Sequence, residues 1–408
     1  MQQKLRFWLG QSPLSDRYDD ARKKRLNGTC EWILHKPQFL AWRAPEFPTS
    51  TKLLWINGNA GFGKTVLCAH IIDSLQDLDG PVAHFFFTSD DSTSRGDPFV
   101  ALRSWISQVT SRHGSAFDSV YQRADDDPNS TATRATILGA FTDLVRAVPG
   151  CTFVADGLDE CAFLTRGSSS VARFIQDVAH AVADTDTRIL LVSRSEPDIR
   201  HALVESCLSF DEYTISAYDV RHDTDACAKQ IVNSKLDNKS NGVRLDLSNA
   251  MSERCEGQFL WLDMQQECLR KGMNTKQLQK AIRDSPADLG LIYDNAWQRI
   301  IQLNEEDKNQ AFALLRWAAF ALRPLTVSEI TQAVLMEKSN DVSIDDLPDA
   351  VDDDYIDTEI AGLCGSLVDC QGRAGRLPSG PADCLLATFH RQAIPGLQPP
   401  NNKLAAPD

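Results

Sequence analysis

One short segment constrains this chain of 408 residues more than any other feature of its sequence. Residues 58–65 fit the pattern G-x-x-x-x-G-K-[ST] at every fixed position. They are Gly58, Asn59, Ala60, Gly61, Phe62, Gly63, Lys64 and Thr65. An apolar run at 53–56 precedes them, and helical periodicity over 65–78 follows. A strand, a glycine-rich turn and a helix in this order predict a loop that binds phosphate.

The residue types in this loop match what a bound triphosphate requires. Phosphate oxygens need several convergent backbone N–H groups, and glycine allows the backbone to wrap that tightly. In this pattern Lys64 supplies a cation to the β and γ phosphates, and the Thr65 hydroxyl binds Mg²⁺. The helix that begins here directs the positive end of its dipole at the anion. The segment therefore predicts a site for a Mg²⁺-bound nucleoside triphosphate.

An acidic turn follows a later apolar run, at 151–155, which we predict to be a buried strand. Its first carboxylate, Asp156, falls at the carboxyl end of that strand, where ligands bind in open α/β sheets. A carboxylate there can hold Mg²⁺ through water, together with Thr65. Asp159 and Glu160 then offer a catalytic base or a group that positions water. Alone, such a turn is more often a solvated surface, but downstream of a complete phosphate loop it indicates a catalytic site.

A third candidate residue, Arg194, follows the apolar run at 189–192. If that run is a parallel strand of the same sheet, Arg194 lies at the same sheet edge as the phosphate loop. We consider two roles for it equally. It senses the γ-phosphate and stabilises charge during phosphoryl transfer, or it forms a plain salt bridge.

The remaining pattern alternates between strands and helices and then becomes helical. Strands are predicted at 53–56, 82–87, 151–155 and 189–192, with a weak fifth at 213–215, and helices at 65–78, 99–109 and 171–182. Such alternation predicts a parallel sheet that is covered on both faces. Further helices are predicted at 225–236, 247–255, 260–269, 275–284, 291–303, 308–322 and 326–336.

Composition excludes several classes of protein. The formal net charge of -14 argues against nucleic acid as a partner, since duplex binding needs a positive face. No stretch of about 18 uninterrupted apolar residues predicts a membrane span. The eleven cysteines show no Cys-x-x-Cys spacing, so we interpret them as small buried side chains in a reducing compartment. The polar N-terminus carries no secretory signal. We therefore expect a cytoplasmic protein.

With these motifs in place, the chain resembles the NACHT-type signal-transduction ATPases with numerous domains (STAND proteins), in their large fungal, NLR-like group. The same region of that group is also described as a nephrocystin-3-like N-terminal domain. The resemblance extends over about residues 8–368. The residues that carry it lie at 25–32, 54–65, 85–87, 102–104, 156–161, 193–194, 257–261, 289–293 and 323–326.

The resemblance implies a fold and a division into domains. The fold is α/β: a P-loop NTPase parallel sheet with helices on both faces, followed by an α-helical domain and a partial winged-helix segment. The expected parts are a helical lead-in at 1–50, the P-loop NTPase (NACHT) domain at 51–217, the helical domain at 218–305, the winged-helix-like segment at 306–370 and a disordered tail at 371–408.

The resemblance also implies a nucleotide-operated switch in signal transduction, of the kind that acts in fungal non-self recognition and heterokaryon incompatibility. In such proteins the diphosphate state is closed, exchange for Mg²⁺-bound triphosphate permits self-association or association with related NTPases, and slow hydrolysis resets the switch. The guanine-reading sequence Asn-Lys-x-Asp is missing, which favours ATP and ADP. GTP and GDP stay open, because relatives use either base.

Two alternatives stay beside this prediction. One is a regulatory module that holds nucleotide without turnover and pairs with full-length relatives. It is suggested by the short region before residue 51 and by the missing C-terminal sensor repeats. The other is a different P-loop enzyme, such as an AAA-type remodeller or a small-molecule kinase. A kinase normally has a lid with clustered arginines, and no such cluster follows Arg200.

Overall fold

The structure is a computed structural model, and it divides into two compact units. The first consists of Met1–Cys227 with Gly257–Phe259, and the second of Ala228–Glu256 with Leu260–Asp408. The residues that it describes are 1–10, 16–44, 51–76, 80–87, 97–127, 129, 131–161, 169–286, 289–321, 325–338, 355, 359 and 362–364.

A five-stranded parallel sheet forms the centre of the first unit. Its strands are β1 (Leu53–Asn57), β2 (Val82–Phe86), β3 (Thr152–Asp156), β4 (Arg188–Ser193) and β5 (Phe210–Thr214). Their order across the sheet is β2-β3-β4-β1-β5, and every neighbouring pair is parallel. The phosphate loop therefore leaves the sheet between β4 and β5. This confirms the predicted α/β parallel sheet.

Helices surround this sheet. They are α1 (Gln2–Leu9), α2 (Arg17–Lys24), α3 (Pro37–Arg43), α4 (Lys64–Leu75), α5 (Val100–Thr110), α6 (Gly114–Asp126), α7 (Arg134–Ala147), α8 (Ser169–Val182) and α9 (Pro197–Val204), with short 3-10 turns at Glu31–His35 and Leu158–Glu160. The sequence indicated α4, α5 and α8 by their apolar spacing. It did not resolve α6, α7 and α9, which the structure adds.

The two faces of the sheet have separate apolar cores. On β1, Leu53 and Trp55 face a core shared with α1 and α5 to α9. Leu54 and Ile56 face the other way, into a core shared with α3 and α4. Because alternate residues of a strand point to opposite faces, a strand covered on both sides needs apolar residues throughout. This explains the unbroken apolar run at 53–56 and confirms that helices cover both faces.

The aromatic residues before β1 pack into the same unit. Phe39 and Trp42 of α3 are fully buried, and Ile33 in the preceding 3-10 turn is buried with them. The Trp42 indole Nε1 donates to the backbone oxygens of Lys52 (3.2 Å) and Ile189 (3.1 Å), at the starts of β1 and β4. Trp42 therefore has a structural role, since it ties α3 to the starts of the two central strands.

The second unit is helical in the part that the structure describes. Its helices are the later part of α10 (Arg221–Lys235), α11 (Asn241–Arg254), α12 (Phe259–Gln265), α13 (Thr275–Asp284), α14 (Leu289–Ile301), α15 (Glu305–Phe320) and α16 (Val327–Lys338), with a helical turn at Gly362–Cys364. α14, α15 and α16 share a core that includes Ile300, Leu314 and Ile330. Helices occupy each of the seven predicted segments.

The predicted domain boundaries stay predictions. Within the winged-helix-like segment at 306–370, the structure describes α15, most of the residues up to 338, and a few residues beyond. The rest of that segment and the predicted tail at 371–408 lie outside the described residues. In the described part, no helix is both long and apolar enough to cross a membrane.

Candidate nucleotide-binding site

The phosphate loop connects the end of β1 to the start of α4 and depends on glycine at three positions. Gly61 and Gly63 have φ angles of 80° and 72°, which lie in the left-handed region that glycine adopts without strain. Gly58 is limited by space, since a Cβ there would lie 3.1 Å from the Cβ of Ile215. The fixed glycines of the motif therefore each have a physical cause.

Lys64 begins α4 and turns back over this loop. Its Nζ donates to the backbone oxygens of Gly58 (3.0 Å) and Asn59 (2.8 Å). Burial lowers the pKa of the Lys64 ammonium, while the carboxylates of Asp159 and Asp156 oppose that shift. The cation is thus held inside the loop, close to the acidic residues that the sequence singled out.

Asp156 ends β3 and lies beside Thr65. The side chain is only 4% exposed, and the Thr65 hydroxyl is hydrogen-bonded to it. Burial raises the pKa of the Asp156 carboxyl to about 7, although the hydrogen bond from Thr65 opposes this shift. A buried carboxylate and a hydroxyl are hard oxygen ligands of the kind that Mg²⁺ uses. The two residues predicted to hold the metal therefore come together, and their chemistry fits it.

Gly157 allows the chain to turn sharply after Asp156. Its φ angle is 77°, and a Cβ there would lie 3.0 Å from the backbone oxygen of Phe87. The Gly157 N–H donates to the backbone oxygen of Val192 on β4, at 2.8 Å. Glycine at this position lets the 3-10 turn with Asp159 and Glu160 stay against the sheet edge.

Asp159 is engaged by Arg194, which follows β4. One Asp159 carboxylate oxygen accepts from the Arg194 backbone N–H at 3.1 Å, and the other lies 3.2 Å from Arg194 Nε. The Asp159 side chain is 8% exposed. Arg194 therefore forms the salt bridge that was one of its two predicted roles. Its role as a γ-phosphate sensor stays a prediction.

Glu160 lies on the outer side of the same turn. Its side chain is 31% exposed, and its Oε2 lies 3.7 Å from Arg17 Nη1 of α2. Arg17 also donates to the backbone oxygen of Phe87 at 3.4 Å. Sequence reasoning missed Arg17, because it lies in a polar helix far before the phosphate loop and belongs to none of the motifs.

Phe259 is a second residue near the loop that sequence reasoning did not place there. Its N–H donates to the backbone oxygen of Gly61 at 2.7 Å. Its ring packs so closely that a Cβ at Gly63 would lie 3.2 Å from it. Phe259 was assigned to the helical domain, but residues 257–259 group with the first unit. The available sequence signal was the glycine at 257, where φ is 86° and an added Cβ would lie 2.9 Å from Ala217 Cα, as in a tight turn against another segment.

Comparison with known proteins assigns the region around this site. Residues 28–194 match the family described as nephrocystin 3, N-terminal. This region is similar to the nephrocystin 3 N-terminal family. The match begins before the phosphate loop and ends at Arg194, so it contains the loop, the acidic turn and the end of β4. It confirms the family predicted from the motifs, the NACHT-type P-loop proteins.

The chain is also similar to a named fungal protein over most of its length. It is 23% identical over 371 residues to the vegetative incompatibility protein HET-E-1 of Podospora anserina, which covers 86% of this chain. The chain spans about a quarter of the length of that relative, since the similarity covers 25% of it.

Solved structures of Walker-type proteins are more distant. The Walker-type ATPase paby2304 of Pyrococcus abyssi has a TM-score of 0.37 at 11% identity, over 78% of this chain and 84% of that one. The PCH-2 protein of C. elegans has a TM-score of 0.33 at 11% identity, over 66% and 67%. Structural similarity this low supports no assignment. The assignment of this region rests on the nephrocystin 3 N-terminal match and on the geometry of the loop.

Proposed function

We propose that this chain is a nucleotide-binding switch of the NACHT class, which binds Mg²⁺-bound triphosphate and hydrolyses it slowly. The observation that carries the proposal is the convergence of Lys64, Thr65 and Asp156 at the carboxyl edge of the sheet. Lys64 and Thr65 begin the helix that follows β1, and Asp156 ends β3, which is not adjacent to β1 in the sheet; their contacts suit phosphate and metal.

Binding is assigned to the phosphate loop. The N–H groups of residues 58–65 and the start of α4 surround the phosphates, and Lys64 exchanges its contacts with the loop carbonyls for phosphate oxygens. Thr65 and Asp156 hold Mg²⁺, which neutralises charge on the phosphate oxygens when it is bound. ATP is the favoured nucleotide and GTP the alternative, since nothing in this loop reads the base.

Hydrolysis is assigned to the acidic turn. Arg194 occupies both carboxylate oxygens of Asp159, so Asp159 holds the end of β4 against the turn. Glu160 is more exposed, and we assign it the role of orienting the attacking water. Arg194 is then placed to exchange Asp159 for the γ-phosphate, which would link the triphosphate to a rearrangement of this turn.

The proposed switch includes Phe259 as well as the phosphate loop. The Phe259 N–H bonds directly to the loop at Gly61, so a change in the loop on phosphate binding acts on the segment that begins α12. The relative's name, a vegetative incompatibility protein, supports a place for such a switch in fungal non-self recognition. Self-association or association with related NTPases belongs to the same proposal.

One observation favours the alternative of a module that holds nucleotide without turnover. Asp159, one of the two carboxylates that could act in hydrolysis, is already occupied by Arg194. In this alternative Lys64, Thr65 and Asp156 bind Mg²⁺ and nucleotide as proposed, but Glu160 has no catalytic role.

Phosphate release distinguishes the two functions. The purified protein is incubated with Mg²⁺ and ATP or GTP, beside Lys64→Ala and Glu160→Gln. We expect slow release by the wild type, none above background by Lys64→Ala, and a reduction of about a hundredfold in Glu160→Gln with nucleotide affinity kept. Binding without release by the wild type favours the module without turnover. Equal release above background by wild type and Lys64→Ala would contradict the assignment of hydrolysis to this site, and a wild type that neither binds nor hydrolyses nucleotide contradicts both functions.

A further inference from the structure

The N-terminal segment contributes a side chain to the catalytic turn. Arg17 is the first residue of α2, and its guanidinium lies between the Glu160 carboxylate (3.7 Å) and the backbone oxygen of Phe87 (3.4 Å). Phe87 follows β2, and its N–H donates to the backbone oxygen of Asp156 at 2.8 Å. Arg17 is therefore located where the ends of β2 and β3 meet beside the proposed metal ligand.

α2, which carries Arg17, is hydrogen-bonded to α4, the helix that follows the phosphate loop. Asp73 of α4 accepts from the Tyr18 hydroxyl (2.5 Å) and from Arg22 Nε (3.1 Å), both of α2. The Tyr18 ring also packs 4.5 Å from the ring of His84 on β2, measured between centroids. Because α2 is anchored at Tyr18 and Arg22, Arg17 is presented to Glu160 from a defined position.

We propose that Arg17 is a positioning residue for Glu160, and that the N-terminal segment thereby controls hydrolysis. A glutamate that is 31% exposed has several accessible rotamers, and only some of them orient a water toward the γ-phosphate. The guanidinium restricts the carboxylate to one region while leaving it ionised and able to accept a proton from water. This inference rests on the proposed hydrolysis and assigns to it a residue outside every motif.

Through Arg17, α2 connects the catalytic turn to the N-terminal segment. A displacement of α2 relative to α4 withdraws Arg17 from Glu160 without touching Lys64, Thr65 or Asp156. Nucleotide binding and hydrolysis are then separable, so a partner that acts on the N-terminal segment changes the rate at which the switch resets and leaves affinity unchanged.

The test compares Arg17→Ala with Lys23→Ala in single-turnover hydrolysis of bound Mg²⁺–ATP or Mg²⁺–GTP by the full chain. Lys23→Ala is the matched control, because it removes a cation of the same helix that pairs with Asp20 of that helix. We expect Arg17→Ala to slow hydrolysis about tenfold with nucleotide Kd unchanged within about twofold, and Lys23→Ala to keep the wild-type rate. Arg17→Lys should restore part of the rate.

A double variant identifies the residue through which Arg17 acts. If Arg17 works only by positioning Glu160, then Arg17→Ala has no further effect in the Glu160→Gln background. An additive loss, an equal loss in Lys23→Ala, or a loss of affinity as large as the loss of rate would overturn the assignment. A wild type that hydrolyses no more than Lys64→Ala overturns the proposed hydrolysis together with this inference, whereas normal hydrolysis by Arg17→Ala overturns this inference alone.

Discussion

At the scale of single residues, the site combines a buried carboxylate, Asp156, with a partly buried cation, Lys64. Burial lowers the pKa of Lys64 and raises that of Asp156. Charged side chains are costly to bury unless they have a compensating partner. The phosphates and the metal of the proposed ligand provide such partners, so these two residues yield the clearest predictions from substitution.

Removing the Lys64 ammonium should abolish most of the affinity for triphosphate. Two charge-assisted hydrogen bonds to phosphate oxygens are worth about 3 kcal/mol together, or about a hundredfold in Kd. The measurement is titration of Lys64→Ala and wild type with a fluorescent Mg²⁺-bound ATP or GTP analogue. Matching thermal unfolding curves for the two proteins without nucleotide would show that the loss is local. An affinity within threefold of wild type would refute the phosphate role of Lys64.

Asp156 should make stability depend on pH in the metal-free protein. Its pKa is raised from 3.8 to about 7, so between these values the folded chain holds a proton that the unfolded chain has released. The stabilisation from this group is therefore complete below pH 3.8 and is lost as the pH rises through about 7. We expect the free energy of unfolding of wild type, relative to Asp156→Asn, to fall across this interval. A constant difference from acidic to neutral pH would contradict the shift.

Asp156→Asn should also weaken the binding of Mg²⁺. Asn keeps the shape of the side chain but lacks the charge that attracts Mg²⁺. Asp156→Asn should therefore weaken nucleotide binding in the presence of Mg²⁺ by about tenfold or more and change metal-free binding little. Titrations with and without chelator measure both quantities. An equal loss in the two conditions would show that Asp156 is not a metal ligand.

Sequence reasoning identified the residues of this site that belong to local motifs. It identified residues 58–65, Asp156 and Arg194 because a phosphate loop and strand ends impose residue types at fixed spacing. It could not find Arg17 or Phe259, since they reach the site through tertiary packing from outside the core motifs. It also could not decide that Arg194 pairs with Asp159, because pairing depends on side-chain distance and not on order along the chain.

At the scale of elements, the turn after β3 depends on a glycine. Gly157→Ala places a Cβ 3.0 Å from the Phe87 backbone oxygen and forces a left-handed φ of 77° on alanine. We expect a loss of about 1–2 kcal/mol in unfolding free energy, with slower hydrolysis because Asp159 and Glu160 are displaced. Chemical denaturation measures the first effect and phosphate release the second.

Gly242→Ala provides the matched control for this substitution. Gly242 lies in α11, and a Cβ there meets no atom within 4 Å. Alanine in a helix is favoured over glycine by about 1 kcal/mol, so this variant should be as stable as wild type or more stable. If Gly157→Ala behaved like Gly242→Ala, the tight turn after β3 would not matter for the site.

The elements that the sequence predicted well are those buried on both faces. β1 and β4 contain unbroken apolar runs, at 53–56 and 189–192, because helices cover both sides. β5 was predicted weakly, at 213–215, because it is an edge strand whose residues are only partly buried. Its sequence Phe-Asp-Glu-Tyr-Thr lacks an apolar run, and its place beside β1 comes from pairing along the whole strand at Phe210–Thr214.

At the scale of the whole molecule, a ligand that binds the folded site must stabilise the first unit. By mass action, free Mg²⁺-bound nucleotide at about 100 times its Kd adds about 2.7 kcal/mol to the unfolding free energy. We expect the thermal midpoint of wild type to rise with added nucleotide and Mg²⁺, and that of Lys64→Ala to rise far less at the same concentrations, because its affinity is lower. An equal rise in both proteins would indicate binding elsewhere.

The central claim is that the loop at 58–65 holds a nucleotide, and the contents of the purified protein test it most directly. Wild type and Lys64→Ala are purified in parallel and denatured, and the released small molecules are separated by chromatography. We predict ADP or GDP from wild type only, or uptake of added Mg²⁺-bound ATP or GTP by wild type only. A wild-type protein that is empty and takes up neither, or a Lys64→Ala variant that holds as much nucleotide, would contradict this account.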